Sequence, residues 1–222
     1  MVMMRPWVRI SRLGFLLGAV VLSMSPSLAA GEQAAAAPAR GDVLVRVMAL
    51  DVTVARIDST IPSVGGKVDT PDKLVPGADL SYFIADHWAV EGQGGPFARV
   101  YRVRQSLIGD FDVGRIHTKA VSLVFQYHLR PSAILKPYLG LGLNYAWSGD
   151  VEPAAGIPDF KVSDITSGIA SLGVDYRVTD RWFLSGSVRY LLSPTYQFRG
   201  HGFNATVKLD TLVVGAGIGY RF

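Results

Sequence analysis

Leu212-Val213-Val214-Gly215-Ala216-Gly217-Ile218-Gly219-Tyr220-Arg221-Phe222 carries two interleaved rows. One row is Leu212, Val214, Ala216, Ile218, Tyr220 and Phe222; the other is Val213, Gly215, Gly217, Gly219 and Arg221. A period of two sends alternate side chains to opposite faces of a sheet. The stretch is therefore a strand with one greasy face and one built from glycine and an isolated charge.

Seven segments upstream repeat the pattern. Trp182, Leu184, Val188, Tyr190 and Leu192 alternate with Ser185, Ser187 and Arg189, and Ala170, Leu172, Val174 and Tyr176 with Ser171, Gly173, Asp175 and Arg177. Leu139, Leu141, Leu143, Tyr145 and Trp147 oppose Tyr138, Gly140, Gly142, Asn144 and Ala146. Val121, Leu123, Phe125, Tyr127 and Leu129 oppose Ser122, Val124, Gln126 and His128. Trp88 and Val90 oppose Glu91 and Gln93; Ala78, Leu80, Tyr82 and Ile84 oppose Asp79, Ser81 and Phe83. In the first segment, Val43 to Val52, Val45, Val47 and Ala49 share the greasy face and Arg46 and Met48 the other.

A soluble sandwich or lipocalin-like barrel alternates too, but its polar face is rich in charge. Here that face is mostly Gly and Ser, which suits a narrow packed lumen. Aromatics gather at the segment ends: Trp88, Tyr127, Tyr176, Trp182 and Tyr220 at one end, Tyr145, Trp147 and Tyr190 at the other. Two aromatic girdles around an apolar band mark a membrane barrel. Long gaps (Thr53 to Lys73, Ala98 to His117, Ser148 to Thr166, Ser193 to Ala205) alternate with short ones (Ala85 to His87, Arg130 to Lys136, Thr179 to Arg181). Long outer loops, short periplasmic turns and two periplasmic termini require an even strand number. The expected fold is all-β: an eight-stranded, antiparallel, up-and-down transmembrane barrel over residues 42–222.

Composition agrees. Of 222 residues, 49% are hydrophobic and only 18% charged, too apolar for disorder. Cysteine is absent, which excludes disulfides, thiolate metal sites and Cys nucleophiles. Arg5, Arg9 and Arg12 precede an apolar run from Leu13 to Leu22 and a small-residue tail ending at Ala29-Ala30. This reads as a cleavable signal peptide over residues 1–30, followed by a flexible lead-in over 31–41. Without those three arginines the basic residues fall from 22 to 19 against 18 acidic ones. No basic stripe remains for nucleic acid. An exported chain this hydrophobic with no helical span reads as a secreted β protein or a β-barrel, and in lipid a closed barrel satisfies every backbone group internally.

The segments resemble the OmpW family. Lys136-Pro137-Tyr138-Leu139-Gly140-Leu141-Gly142-Leu143-Asn144-Tyr145 is similar to that family's basic-Pro-Tyr-x-Gly-x-Gly-x-Asn-Tyr strand. Gly173-Val174-Asp175-Tyr176 with Asp180-Arg181-Trp182, Asp86 through Glu91 with Pro96-Phe97, and Gly219-Tyr220-Arg221-Phe222 resemble further strands. The first strand departs from the pattern at Arg46-Val47-Met48. The resemblance implies a monomer in the outer membrane of a Gram-negative bacterium, assisting passage of small hydrophobic molecules. It also implies recognition by the barrel-assembly machinery through Phe222 and a lateral route through the wall.

Sorting the inward row by height gives a polar plug in the periplasmic half: Arg46, Glu91, His128, Asp175, Arg177 and Arg221. Phe83 and Phe183 look inward yet low, and Asp79 and Arg189 nearer the middle or top. Above lies an apolar vestibule of Met48, Leu50, Phe97, Val124, Leu191 and Val213, with Phe97 sensitive to any bulge at Gly94-Gly95. An eight-stranded barrel is only wide enough for its side chains, so paired charges would close its base. A greasy solute then enters from outside and leaves sideways into the bilayer.

Rival functions have thinner support. A lipid-modifying barrel enzyme needs a nucleophile beside a base. His87, His117, His128 and His201 lack the His-x-Ser spacing that sets both on one strand face. No catalytic residue, cofactor or metal ligand set is expected. A structural or host-interaction barrel would act through loop residues such as Tyr101, Arg102, Arg104, Arg115 and Phe160, although basic loops also meet anionic lipopolysaccharide.

Overall fold

A computed structural model of the chain describes residues 38–60, 65–129, 134–193, 195–200 and 203–222. The expected signal peptide, and the lead-in up to residue 37, lie outside the described residues. The strands are β1 (Val43–Thr60), β2 (Lys67–Asp69), β3 (Lys73–Ala85), β4 (Trp88–Arg104), β5 (Phe111–His128) and β6 (Leu135–Pro153). They continue with β7 (Phe160–Val162), β8 (Ile165–Arg177), β9 (Trp182–Leu192), β10 (Thr195–Gly200) and β11 (Phe203–Arg221). Eight of them form the wall in the order β1-β3-β4-β5-β6-β8-β9-β11, and β11 pairs with β1 to close it. All these neighbours are antiparallel. In the first strand Arg46 stands opposite Asp79 on one side and Gly219 on the other.

The greasy rows face outward. Leu141 is 69% exposed to the surroundings, Leu123 62%, Leu172 61%, Val47 57% and Ile218 50%. Ser81, Val124, Gln126 and Tyr138, on the alternate row, are 0% exposed. A water-soluble barrel would show the reverse. The lower girdle is a set of packed rings: Trp88 lies 4.8 Å from Phe125 and from Tyr127, and Trp182 4.9 Å from Tyr220, which meets Phe222 at 4.8 Å. At the upper end Tyr145 stacks 5.8 Å from Trp147 and donates to Asp164, while Tyr190 donates to Asp210.

Glycine opens room on the inner face. Tyr138 stands opposite Gly173, and a Cβ at Gly173 would run into the Tyr138 ring. The aromatic covers the glycine, and both strands keep their ladder.

The long gaps are not loops. β1 runs to Thr60, β4 to Arg104, β5 starts at Phe111 and β6 runs to Pro153, so hairpins rise well above the greasy band. The short strands β2, β7 and β10 add to them, pairing with β4, β10 and β11 respectively. Backbone groups that leave the lipid still need partners, and this extension has its own apolar core. Val68, Val103, Val113, Ile116, Phe160, Val207 and Leu209 are all buried there. Phe160 is thus a core residue, not a loop side chain free to meet a partner.

Candidate functional site: a capped cavity with a lateral seam

The lumen is layered. At the base, Leu44, Phe83, Ala89 and Phe183 form an apolar floor. Phe83 and Phe183 are the two inward rings that the sequence placed low. The floor lies beneath the charges.

The next layer is ionic. Arg46 grips Asp175 with Nη2 at 2.8 Å and Nε at 3.1 Å, and reaches Asp79 and Ser81 with Nη1 at 2.8 Å. Its Nη1 also lies 3.5 Å from Glu91. Arg189 bonds Glu91 at 3.0 Å, Asp79 at 3.4 Å and Gln93 at 2.6 Å. Gln126 donates to Glu91 at 2.6 Å and Ser185 to Asp175 at 2.7 Å. All five charged members are at most 3% exposed. Forked guanidinium–carboxylate contacts are among the stronger hydrogen bonds, and here they tie β1, β3, β4, β8 and β9 together across the lumen.

Above the charges is a cavity of about 900 Å³. Leu50, Val52, Val75, Phe97, Leu191 and Val213 give it an apolar wall; Ser122, Asn144, Ser167, Ser193 and Thr211 give it a polar one. Small inward residues such as Gly77, Gly95 and the serines make this space in a barrel that larger side chains would fill. The extension core roofs the cavity, sharing Ile116 and Leu209 with its lining.

The wall is incomplete beside the cavity. β3 and β4 pair from Ala85–Trp88 up to Asp79–Gln93, and among the described residues no rung joins them above that point. Over the same height β3 stays paired with β1 as far as Lys73, and β4 with β5 as far as Val103. The unzipped edges carry Pro76-Gly77 and Gly94-Gly95-Pro96, all of which line the cavity. Proline withholds a ladder donor and glycine weakens a strand. At the top of this seam Lys73 Nζ donates to the Ala98 carbonyl at 2.7 Å. A second, polar gap lies near the upper rim. The β6–β8 ladder ends at Ala146–Ile165, β7 pairs with β10, and Ser148, Gly149, Asp150 and Ser163 line the cavity there.

Of the six residues expected in a vestibule, Leu50, Phe97, Leu191 and Val213 line the cavity; Met48 and Val124 are buried outside its lining. Phe97 faces inward because the β4–β5 ladder runs unbroken through Gly94-Gly95 and shifts only at Tyr101/Arg102. Of the six expected in a plug, Arg46, Glu91 and Asp175 form the ionic layer. His128 sits below it, between the Phe83 and Tyr138 rings at 4.7 and 5.0 Å, and bonds Gln126. Arg177 and Arg221 lie at the periplasmic rim, toward Asp180 and Asp42, because their strands end there. The loop arginines have acidic partners: Arg102 with Asp112, Arg104 with Asp69, and Arg115 with Glu152. The hydroxyl wall, the seam and Arg99 were not singled out from sequence. Of these, alternation carries Arg99 only when counted through Gly94-Gly95 without a phase change.

Closed strands, a lipid-facing greasy band, two girdles and a sealed base define a transmembrane outer-membrane barrel with an internal cavity. The OmpW family model matches residues 39–222, and the chain belongs to the OmpW family. It is 30% identical over 183 residues to an uncharacterized outer-membrane protein, y4mB, of Sinorhizobium fredii, covering 80% of this chain and 79% of that one. It is 25% identical to outer membrane protein W of Vibrio cholerae, covering 82% and 89%. A dibenzothiophene metabolism operon protein, PahQ, of Pseudomonas aeruginosa is 26% identical, covering 71% and 76%. The crystal structure of OprG from Pseudomonas aeruginosa shares the fold with a TM-score of 0.73 at 24% identity, covering 83% and 97%. The protein resides in the outer membrane of a Gram-negative bacterium, its greasy band in contact with lipid.

Proposed function

We propose that the barrel assists passive passage of small hydrophobic molecules. The solute enters the cavity from the outer side at the polar gap near Ser148 and Ser163. It leaves sideways into the bilayer between β3 and β4. The observation that carries this reading is the seam, where a cavity with an apolar wall adjoins a stretch of unpaired strand edge facing lipid. The floor and the ionic layer block the axial route. A relative whose name ties it to dibenzothiophene metabolism, hence to an apolar aromatic compound, supports the solute class. In this reading the protein is a monomeric conduit and not an enzyme, is assembled through recognition of Phe222, and meets lipopolysaccharide at its outer rim.

The test is hydrocarbon uptake by intact cells whose outer leaflet is lipopolysaccharide. A side chain built at Gly95 meets nothing within 4 Å and points into the cavity beside the seam, so Gly95→Trp should reduce uptake to that of cells lacking the barrel. Gly92 is equally unobstructed but faces lipid between Leu80 and Leu123, so Gly92→Trp should leave uptake unchanged. Uptake that survives Leu191→Arg or Val213→Arg as well as Gly95→Trp would overturn the proposal.

A further inference from the structure

The cavity contains a cation that the ionic layer does not use. Arg99 is 7% exposed, and among the described residues none makes a hydrogen bond, ion pair or ring contact with it. The other buried basic residues described, Arg46, His128, Lys136, Arg177 and Arg189, all have partners. Arg99 follows Gln93, Gly95 and Phe97 on the inward row of β4, so its guanidinium lies along the cavity wall above Phe97. Lys73 brings a second charge to the same edge, since its ammonium bonds the carbonyl of Ala98, the residue before Arg99. The other ionisable residues lining the cavity are Tyr101, His117, Lys119, Asp150 and Arg189; among the described residues Asp150 is its single carboxylic acid, and it lies at the polar gap. Burying a guanidinium without an anion is unfavourable, and a guanidinium presents a planar fork suited to carboxylate.

We infer that the cavity takes amphipathic anions, with a carboxylate seated on Arg99 and the apolar body against Phe97, Leu50, Leu191 and Val213. This deepens the proposed conduit by naming a substrate class, hydrophobic monocarboxylates, and it rests on that reading. The two-sided wall fits such a solute. The apolar residues receive its body, the serine and asparagine row leaves room for water about its head, and the seam gives its body a way into lipid.

Equilibrium binding by the full barrel in lipid nanodiscs tests the inference with two probes of one shape, 2-naphthoate and the uncharged naphthalene-2-carboxamide. A charge-assisted contact in a confined site is expected to favour 2-naphthoate by about tenfold or more. Arg99→Gln should bring 2-naphthoate down to the level of the carboxamide and leave the carboxamide unchanged; Arg99→Lys should retain part of the preference. The urea midpoint of Arg99→Gln should equal or exceed that of the parent, because a buried charge with no partner among the described residues is removed. Equal 2-naphthoate affinity in parent and Arg99→Gln, with the carboxamide still bound, overturns the anion site and leaves the conduit standing. Failure of the parent to bind either probe overturns both. A lowered urea midpoint with loss of both probes in Arg99→Gln and Arg99→Lys alike makes Arg99 structural and also overturns the inference.

Discussion

Arg46 shows how much of the lumen depends on one side chain. It is fully buried, contacts three carboxylates, and reaches from β1 across the barrel to Asp175 on β8. Replacing it by Met leaves three buried acids facing one remaining arginine. The expected cost is about 3–5 kcal/mol, the usual penalty for orphaning a buried ionic partner. Urea unfolding in lipid vesicles would measure it, and Arg46→Lys should recover only part, since an ammonium cannot reproduce the two-atom grip on Asp175. That Arg46, Glu91 and Asp175 point inward was legible from alternation. Their partnership was not, because contact across the lumen depends on strand tilt and closure, which no local pattern states. The same holds for Arg189, whose place near the middle was visible but whose bond to Gln93 was not.

At the scale of elements, the eight lipid-spanning strands were readable and their upper halves were not. The reason is phase. Apart from one at Phe83/Ala85 beside the periplasmic turn, ladder irregularities fall at Val54/Arg56, Tyr101/Arg102 and Ile116/Thr118, where the alternation assigned loops. A bulge inserts one residue and shifts the alternation, so a period of two counted from below ends there even though pairing continues. The seam between β3 and β4 has a different origin, in strand edges poor in donors. Replacing Pro76 and Pro96 together by Val supplies two N–H groups and two β-formers. Amide exchange should then show protection extending above Asp79 and Gln93, with hydrocarbon uptake falling in step. Unchanged exchange would mean the edges are held apart by something other than missing donors. The outer face makes a separate prediction. Leu141 is the most exposed leucine of the greasy band on β6 and lies between the two girdles, so Leu141→Arg should destabilise the barrel by about 2–4 kcal/mol. The same urea titration reads this out.

For the molecule as a whole, what matters is the order of its layers. An apolar floor, a buried ion network, a cavity and an apolar roof lie one above another, and among the described residues the gaps in the wall lie at the level of the cavity. Under the proposed function such a body would pass solute from outside to bilayer without offering ions a water-filled axis. Single barrels in a planar bilayer should therefore show little ion conductance. Phe83→Ala alone should not change this, because the ionic layer above the floor still fills the lumen. Phe83→Ala combined with Arg46→Ala removes both closures at one level, since Arg46 and the floor residue Leu44 are near neighbours on β1, and conductance should appear only in that double variant. If the parent barrel already conducts freely, the axial route is open and lateral exit loses its physical necessity. If the double variant stays silent while remaining folded, the roof alone seals the axis, and the polar gap near Ser148 becomes the step that limits access from outside.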